Sequence, residues 1–149
     1  MYKELTLVVG LPGCGKSTYC KNFINSIIID VDNFRRSFTG SQYIHELENY
    51  LKEIVKNIIR GFCYNSDIEQ RIVLVDSAWL IHKEGRKEWI RFAKNLEMNI
   101  RCVYIKEDLK ICKQRNEQRE KRRIVPSHIM DLLWDMFEPP DEKEGIEII

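Results

Sequence analysis

An excess of positive or of negative charge is the feature that this sequence lacks most clearly. Its 24 lysines and arginines are matched by 23 aspartates and glutamates, which leaves a formal net charge of +1. Bulk electrostatics therefore do not indicate a nucleic-acid-binding protein, although a local basic patch is compatible with this balance. Long apolar runs are missing too, since none approaches the roughly 20 residues of a membrane-spanning helix. We expect a protein without membrane contacts.

Paired cysteine spacing is also missing. The five cysteines are an odd number, and no two of them have the Cys-x-x-Cys spacing of a zinc or redox site. Scattered free thiols are typical of proteins in a reducing compartment. The first residues, Met1–Glu4, lead into a strand pattern without the apolar stretch of a signal peptide. These absences predict a soluble, cytoplasmic protein.

The 149 residues show no internal repeat and no linker-like stretch, so we expect residues 1–149 to form one domain. Apolar runs alternate with helical patterns, which favours β-α units and a parallel sheet. Nearly continuous apolar runs such as Ile27–Ile29 and Ile72–Val75 are typical of strands that helices cover on both faces. The predicted strands are Glu4–Val9, Ser26–Ile29, Arg71–Val75, Asn99–Ile105 and Gly145–Ile149.

The clearest helical pattern spans Gln42–Tyr64, where apolar residues recur at intervals of three and four. Further helices are predicted at Lys83–Leu96 and Lys106–Lys121, and another one begins near Pro126 and ends before Pro139-Pro140. Together, these elements predict an α/β protein with three layers around a five-stranded parallel sheet.

A phosphate-binding motif follows the first strand. Residues 10–17 read Gly-Leu-Pro-Gly-Cys-Gly-Lys-Ser and match the Walker A pattern in full, and Ser17–Phe23 after them has a helical pattern. The motif's backbone N–H groups and the helix N-terminus would hold the phosphates of ATP. Lys16 should reach the β- and γ-phosphates, and the Ser17 hydroxyl should ligate Mg²⁺. The predicted nucleotide-binding residues are Gly10, Gly13, Cys14, Gly15, Lys16, Ser17 and Thr18, and Lys16 is also assigned to catalysis.

Acidic residues follow the second and third predicted strands, where ligands bind in doubly wound sheets. Phosphoryl transfer to an alcohol needs a carboxylate that accepts the hydroxyl proton, and Asp32 is the candidate. The alternative is that Asp32 caps a helix beginning near Asn33. Arg35 lies one turn beyond Asp32 and would bind an anionic acceptor, unless it is simply solvated. Asp76 has a Walker B-like place, where it would hold a magnesium-bound water, orient the acceptor or cap the next segment.

A basic segment at about residues 106–125 is the predicted lid. Eight basic and four acidic residues lie between Lys106 and Arg123. Arg115 and Arg119 are four residues apart and would share one helix face. Arginines on a lid neutralise the charge of a phosphoryl group during transfer, so both are predicted to contact ATP, and Arg119 is also predicted to be catalytic. The alternative is an ordinary solvated helix face.

These features resemble the kinase domain of bacteriophage-type polynucleotide 5′-hydroxyl kinases over nearly the whole chain. The matching residues are the Gly10–Thr18 loop, Asp32-x-x-Arg35, Val75-Asp76-Ser77, Arg115-Asn116-x-x-Arg119, Val125-Pro126, Phe137-Glu138-Pro139-Pro140 and Glu144-Gly145-Ile146.

The resemblance implies a P-loop NTPase/kinase fold with a helical lid and transfer of the γ-phosphate of ATP to a 5′-OH end of DNA or RNA. It also implies that Asp32 is the general base, that Arg35 binds the acceptor's 3′-phosphate, and that the lid arginines contact ATP.

Two other functions fit the same motifs. A kinase for a small metabolite or nucleoside would keep the loop, the base and the lid and differ only in its acceptor. A nucleotide-dependent switch would turn over ATP without an acceptor. The sequence contains no Asn-Lys-x-Asp guanine-reading motif, which argues against a GTPase.

Overall fold

A computed structural model describes residues 2–40, 44–65 and 70–149. Its centre is β1 (Lys3–Val9), which pairs in parallel with β3 (Gln70–Val75) on one side and with β4 (Asn99–Tyr104) on the other. The outer strands are β2 (Ile27–Asp30), next to β3, and β5 (Glu147–Ile148), next to β4. The sheet therefore has five parallel strands in the order β2-β3-β1-β4-β5.

Six α-helices connect and flank the strands in the described part of the chain. They are α1 (Lys16–Cys20), α2 (Val31–Thr39), α3 (His45–Tyr64), α4 (Lys83–Asn95), α5 (Leu109–Glu117) and α6 (Ser127–Met136). Short 3-10 helices lie at Lys121–Arg123 and Glu142–Glu144.

Apolar residues on both faces of β1 explain the three layers. Leu5, Leu7 and Val9 are fully buried on one face, in the cluster that contains the buried stripe of α3 and the tryptophan of α4. Val8 faces the other way, in a cluster with Cys20 of α1. Because the side chains of a strand alternate between the two faces, a continuous apolar run needs helices on both sides. The predicted α/β fold is confirmed.

The predicted elements are all present where the chain is described, and the differences lie at their ends. The sequence predicted a helix start at Gln42, which lies outside the described residues. The helix predicted at Lys106–Lys121 is shorter, because α5 begins at Leu109 and ends at Glu117. β2 continues to Asp30, one residue further than predicted. This last difference places Asp30 at the carboxyl edge of the sheet, beside the phosphate-binding loop.

Candidate active site

The phosphate-binding loop, residues 10–17, joins the central strand β1 to α1. Gly13 has a backbone φ of +78° and Gly15 of +101°, a left-handed region that residues with a Cβ rarely adopt. A Cβ on Gly13 would also overlap the carbonyl oxygen of Cys112 in α5. The lid helix therefore lies directly against the loop, and this contact requires glycine.

Lys16 is buried at the start of α1 and holds the loop in shape. Its Nζ donates hydrogen bonds to the carbonyl oxygens of Gly10 (2.9 Å) and Leu11 (2.8 Å) and to Oγ of Ser77 (2.7 Å). Burial lowers the pKa of Lys16 below the ordinary lysine value. Nearby anionic groups favour the charged form, so a bound triphosphate would oppose this shift. Lys16 thus connects the loop to the end of β3, where Ser77 follows Asp76.

A cavity of about 210 Å³ lies inside the loop and brings together residues that are far apart in the sequence. It is lined by Gly13, Gly15, Lys16, Ser17, Thr18, Asp30, Asp32, Val75, Asp76, Ser77, Arg115, Arg119 and Arg123. We call it the phosphate cavity. Most of the predicted site residues lie here, but Gly10, Cys14 and Arg35 do not line it. Gly10 accepts from Lys16, whereas the Cys14 side chain is buried below the loop with Cys112.

Asp32 lies in the first turn of α2, and its side chain is about half exposed, at 49%. The cap of this helix is Asp30, whose carboxylate accepts a hydrogen bond from the backbone N–H of Asn33. The alternative reading, in which Asp32 caps the helix, is therefore wrong. Asp32 lines the phosphate cavity, and among the described residues its ion pair is with Arg35, at 2.6 Å.

Arg35 is buried, with 8% exposure, and is surrounded by three carboxylates. Its Nε and Nη2 donate to Glu48 at 3.0 and 2.6 Å, and Nη1 donates to Asp32 at 2.6 Å. Nη1 and Nη2 also donate longer hydrogen bonds to Asp76, at 3.5 and 3.4 Å. These contacts use all five N–H groups of a guanidinium. The predicted binding of an acceptor phosphate by Arg35 would require exchanging one of these carboxylates for the phosphate.

Glu48 is a member of this site that the sequence analysis missed. It lies on α3 and is 6% exposed, and besides its two bonds from Arg35 it accepts one from Nε1 of Trp79 (3.0 Å). A signal was present, because Glu48 is in phase with Leu51 and Val55 on the buried stripe of α3. A carboxylate on an apolar stripe indicates a buried cationic partner.

Asp76 is 4% exposed, and burial raises its pKa above the ordinary aspartate value, while the charge of Arg35 opposes that rise. Its Oδ2 accepts the backbone N–H of Trp79 at 2.9 Å. Asp76 therefore caps the segment after β3, which was one of the three alternatives for this residue. It also lines the phosphate cavity. The two functions are compatible, because each oxygen of a carboxylate can accept more than one hydrogen bond.

The lid arginines differ from the sequence prediction in one respect. Arg115 lies on α5, but Arg119 lies beyond the end of that helix, so they do not share a helix face. The physical reason is that the charged residues after Glu117 give α5 no apolar stripe to bury. Both arginines nevertheless line the phosphate cavity. Arg115 Nη1 also donates to the carbonyl oxygen of Cys14 at 3.3 Å and pairs with Glu107 at 3.3 Å.

Asn116 holds the segment that carries Arg119. Its Nδ2 donates to the carbonyl oxygen of Val125 at 2.6 Å, and its Oδ1 accepts the N–H of Val125 at 3.0 Å. The side chain is buried, with 3% exposure. Both hydrogen bonds close the loop of residues 117–124, so the position of Arg119 depends on them.

A second cavity, of about 740 Å³, opens next to the phosphate cavity, and we call it the acceptor cleft. The two share Asp32, Asp76, Ser77, Arg119 and Arg123. The rest of the cleft has basic residues, such as Arg36 and Arg122, and apolar residues of the lid and α6. A substrate in the cleft would therefore meet the phosphate cavity at Asp32.

The donors in the phosphate cavity suit a hard divalent cation. Ser17 offers a hydroxyl, and Asp30 and Asp76 offer carboxylates, which are oxygen ligands of the kind Mg²⁺ prefers. Among residues 2–40, 44–65 and 70–149, no three His, Cys, Asp or Glu side chains are grouped as a metal site. Magnesium that arrives with nucleotide phosphates and takes only one or two protein ligands fits this arrangement.

The parallel sheet, the Walker A loop and the lid define a P-loop kinase-like protein of the α/β class. A family described as an AAA domain matches residues 5–140, and the chain belongs to this family. In the described part of the chain, no helix has the length and apolarity to cross a membrane.

The known proteins similar to this chain include kinases that are named for different substrates. The L-seryl-tRNA(Sec) kinase of Methanococcus maripaludis is 27% identical over 93% of this chain, which spans only 54% of that protein. A chain of the Pnkp1/Rnl/Hen1 RNA repair complex superimposes with a TM-score of 0.73, at 17% identity over 91% of this chain and 44% of its own. A sugar kinase from Janibacter sp. HTCC2649 superimposes with a TM-score of 0.66, at 12% identity over 100% of this chain and 84% of its own. The structural likenesses show the fold alone.

Proposed function

We propose that the protein is an ATP- and Mg²⁺-dependent phosphotransferase that transfers the γ-phosphate of ATP to the 5′-OH end of a polynucleotide. The observation that carries this proposal is the position of Asp32. Its half-exposed carboxylate lines both the phosphate cavity and the acceptor cleft, so it lies where a hydroxyl would meet a bound triphosphate. A protein that only binds nucleotide needs no second cleft at this point.

As a general base, the carboxylate of Asp32 must be negatively charged when it meets the hydroxyl of the acceptor. Arg35 contacts one oxygen of Asp32 and leaves the other for a substrate hydroxyl. General-base catalysis contributes about 10²–10⁴-fold to the rate, and less where the proton leaves late in a loose transition state. Asp32 would accept the proton as the acceptor oxygen bonds to the γ-phosphorus and the bond to the ADP oxygen breaks.

Positive charge at the cavity supports the same reaction. Lys16 is held at the loop, and Arg115 and Arg119 line the cavity from the lid. These groups would bind the β- and γ-phosphates and stabilise the charge on the transferring group. Magnesium, when bound with ATP, neutralises part of that charge, and Ser17 would be its protein ligand.

Transfer from γ-labelled ATP to 5′-OH DNA and RNA oligonucleotides tests the proposal. Asp32→Asn should lower kcat by about 10²–10⁴-fold and leave the affinity for ATP nearly unchanged. Asp135→Asn is the matched control, because Asp135 is an exposed aspartate on α6 that lines neither cavity. The proposed base is refuted if Asp32→Asn and Asp135→Asn transfer phosphate equally fast.

A second candidate acceptor is a serine esterified to tRNA, which the name of the Methanococcus relative supports. It keeps the same base and the same nucleotide site, and it also brings phosphates to a basic cleft. Serine-charged tRNA, a sugar and a nucleoside therefore belong in the acceptor panel. Transfer to a sugar or nucleoside with none to an oligonucleotide would replace the polynucleotide assignment by a small-molecule kinase. Turnover that ignores every acceptor would favour a nucleotide-dependent switch.

A further inference from the structure

Helix α3 has a second apolar stripe besides the one that it packs into the core. The buried stripe includes Leu51 and Val55. Leu47, Tyr50 and Ile54 are 40%, 71% and 39% exposed, and their spacing of three and four residues places them together on another face of the same helix. A surface helix ordinarily has a single apolar stripe, which faces the core. The fold of one chain therefore does not account for the second stripe.

The second stripe borders a groove of about 240 Å³ between α2 and α3, which we call the α2–α3 groove. Phe38 of α2, which is 61% exposed, lines the groove together with Tyr50 and Ile54 of α3. Among the described residues, the one basic side chain in its lining is Arg35, which its carboxylate partners already hold. The groove therefore suits an apolar or aromatic side chain better than the phosphates of a nucleic acid.

The size of the exposed surface limits the kind of partner that it fits. A phenylalanine or tyrosine side chain offers about 150–250 Å² for burial, so Phe38 and Tyr50 together expose roughly 250 Å² of ring surface. With Leu47 and Ile54 added, the patch reaches the range of about 300–600 Å² that often has a function on a single chain. It supplies roughly half of the 800 Å² that each partner contributes to a specific interface, so it fits a weak, reversible complex.

Charged residues along one edge of the stripe suit pairing with the same helix in the opposite direction. Glu46, Glu53 and Arg60 recur every seven residues, and the outer two lie about 10 Å from Glu53 along the axis of α3. Neither Glu46 nor Arg60 has an ion pair in the part of the chain that the structure describes. Arg60 donates one hydrogen bond to Asn57 at 2.8 Å and rests on the ring of Phe92, which leaves other N–H groups of its guanidinium for an acid. If two α3 helices cross antiparallel at Glu53, Glu46 of each lies next to Arg60 of the other.

We propose that this face of α3 binds a second copy of the chain, in a two-fold dimer whose two α3 helices pack antiparallel. A two-fold interface presents the same patch from both partners, so each contact occurs twice. Tyr50 of each copy enters the α2–α3 groove of the other, next to its Ile54, as a knob enters a hole. Among the described residues, the groove shares only Arg35 with the acceptor cleft and none with the phosphate cavity, so both active sites stay open in the dimer.

One contact at the crossing is repulsive, because the two copies of Glu53 face each other near the two-fold axis. Each Glu53 is 62% exposed and pairs with Lys56 of its own chain at 3.5 Å, which offsets part of this repulsion. A parallel arrangement would instead bring Glu46 next to Glu46 and Arg60 next to Arg60. Reversing the charge of Glu46 therefore has different effects in the two arrangements, since it creates a like-charge contact only in the antiparallel one.

Sedimentation of the full chain over about 1–500 μM tests the dimer, because an interface of this size should dissociate within that range. Tyr50→Ala should raise the dissociation constant by about 30-fold or more, since a central aromatic side chain is lost from both copies. Ile24→Ala is the control, because Ile24 is also largely exposed, at 77%, but lies outside the stripe and the groove. Thermal unfolding at a concentration where all variants are monomers checks that each of them is folded.

Charge reversal tests the antiparallel arrangement. Glu46→Arg and Arg60→Glu should each raise the dissociation constant by about tenfold, because each places like charges together twice. The double variant has the same two pairs with exchanged signs, so its dissociation constant should return to within about threefold of the wild-type value. Glu53→Gln should lower the dissociation constant by about threefold, as it removes the repulsion at the axis. Glu84→Arg on α4 is the control and should leave the constant unchanged, since Glu84 is exposed and lies away from the stripe.

The outcomes decide each part of the inference. A wild type that stays monomeric up to about 500 μM would overturn it and would leave the proposed phosphotransferase function untouched. A dimer that Tyr50→Ala weakens no more than Ile24→Ala does would show that another surface holds the two copies, and the inference would be wrong. If the single charge reversals have no effect, or if the double variant does not recover, the antiparallel arrangement is wrong.

Discussion

Replacing Glu48 by glutamine should destabilise the protein far more than its position in the middle of a helix suggests. Glu48 accepts two hydrogen bonds from Arg35 and one from Trp79, and it is nearly inaccessible to solvent. Glutamine has nearly the same shape, so the change removes a negative charge beside a buried guanidinium without creating a cavity. One side-chain oxygen remains, and the new amide group faces donors.

The magnitude follows from what remains around Arg35. Breaking a buried ion pair by removing one partner costs about 3–5 kcal/mol. Asp32 and Asp76 still neutralise Arg35 in the variant, which places the cost at the lower end, about 3 kcal/mol. For a domain of this size each kcal/mol lowers Tm by about 2–4 °C, so the expected decrease is about 6–12 °C.

Urea and thermal unfolding measure this effect, with Glu88→Gln as the control. Glu88 pairs with Lys52 and Lys56, but its side chain is 38% exposed, and exposed pairs contribute about 0.2–1 kcal/mol. Well below the unfolding temperature, Glu48→Gln should also lower kcat with little change in KM for ATP, because Arg35, the partner of Asp32, is held less firmly. A Glu48→Gln protein as stable as Glu88→Gln would refute the view that the three carboxylates hold Arg35.

Three further predictions concern the loop and the lid. Burial lowers the pKa of Lys16 and bound phosphates would raise it again, so ATP binding should be accompanied by a proton uptake that grows as the pH rises towards the ordinary lysine range. Calorimetry in buffers of different ionisation enthalpy measures this uptake, and an equal uptake by the Lys16→Met variant would contradict the prediction. Gly13→Ala should abolish ATP binding, because the added Cβ overlaps Cys112. The control Gly61→Ala in α3 adds a Cβ in free space and should raise the free energy of unfolding by about 0.5–1 kcal/mol. ATP binding by a folded Gly13→Ala protein would show that the lid does not rest on the loop. Asn116→Ala should lower kcat, and it should lower the free energy of unfolding in urea by about 1–3 kcal/mol, because it leaves the backbone groups of Val125 unpaired. An unchanged kcat would show that the position of the loop at residues 117–124 does not affect catalysis.

Patterns within short segments predicted most of the fold. The apolar runs of β1 and β3 and the periodicity of α3 locate these elements, because burial on two faces or on one stripe leaves a regular mark. The Walker A loop can be predicted for a similar reason, since its glycines and its lysine are close together in the sequence. The end of α5 could not be predicted, because charged residues continue past Glu117 without a change of pattern.

The environment of Arg35 shows why the rest of the site could not be predicted. Its partners Glu48 and Asp76 lie 13 and 41 residues away, and only the sheet order and the packing of α3 bring them together. The sequence gives spacing along one helix, which suggested that Arg35 would face a ligand with Asp32. Whether an arginine binds substrate or other side chains depends on every carboxylate around it, and that is a property of the folded chain.

The two arginines shared by both cavities, Arg119 and Arg123, have a consequence for the order in which substrates bind. Before ATP binds, their charge is unbalanced, and a phosphate-bearing acceptor would occupy them in place of the triphosphate. Once ATP has neutralised them, only the outer part of the cleft attracts the acceptor. An excess of acceptor should therefore inhibit at low ATP concentration, and productive turnover should begin with the nucleotide.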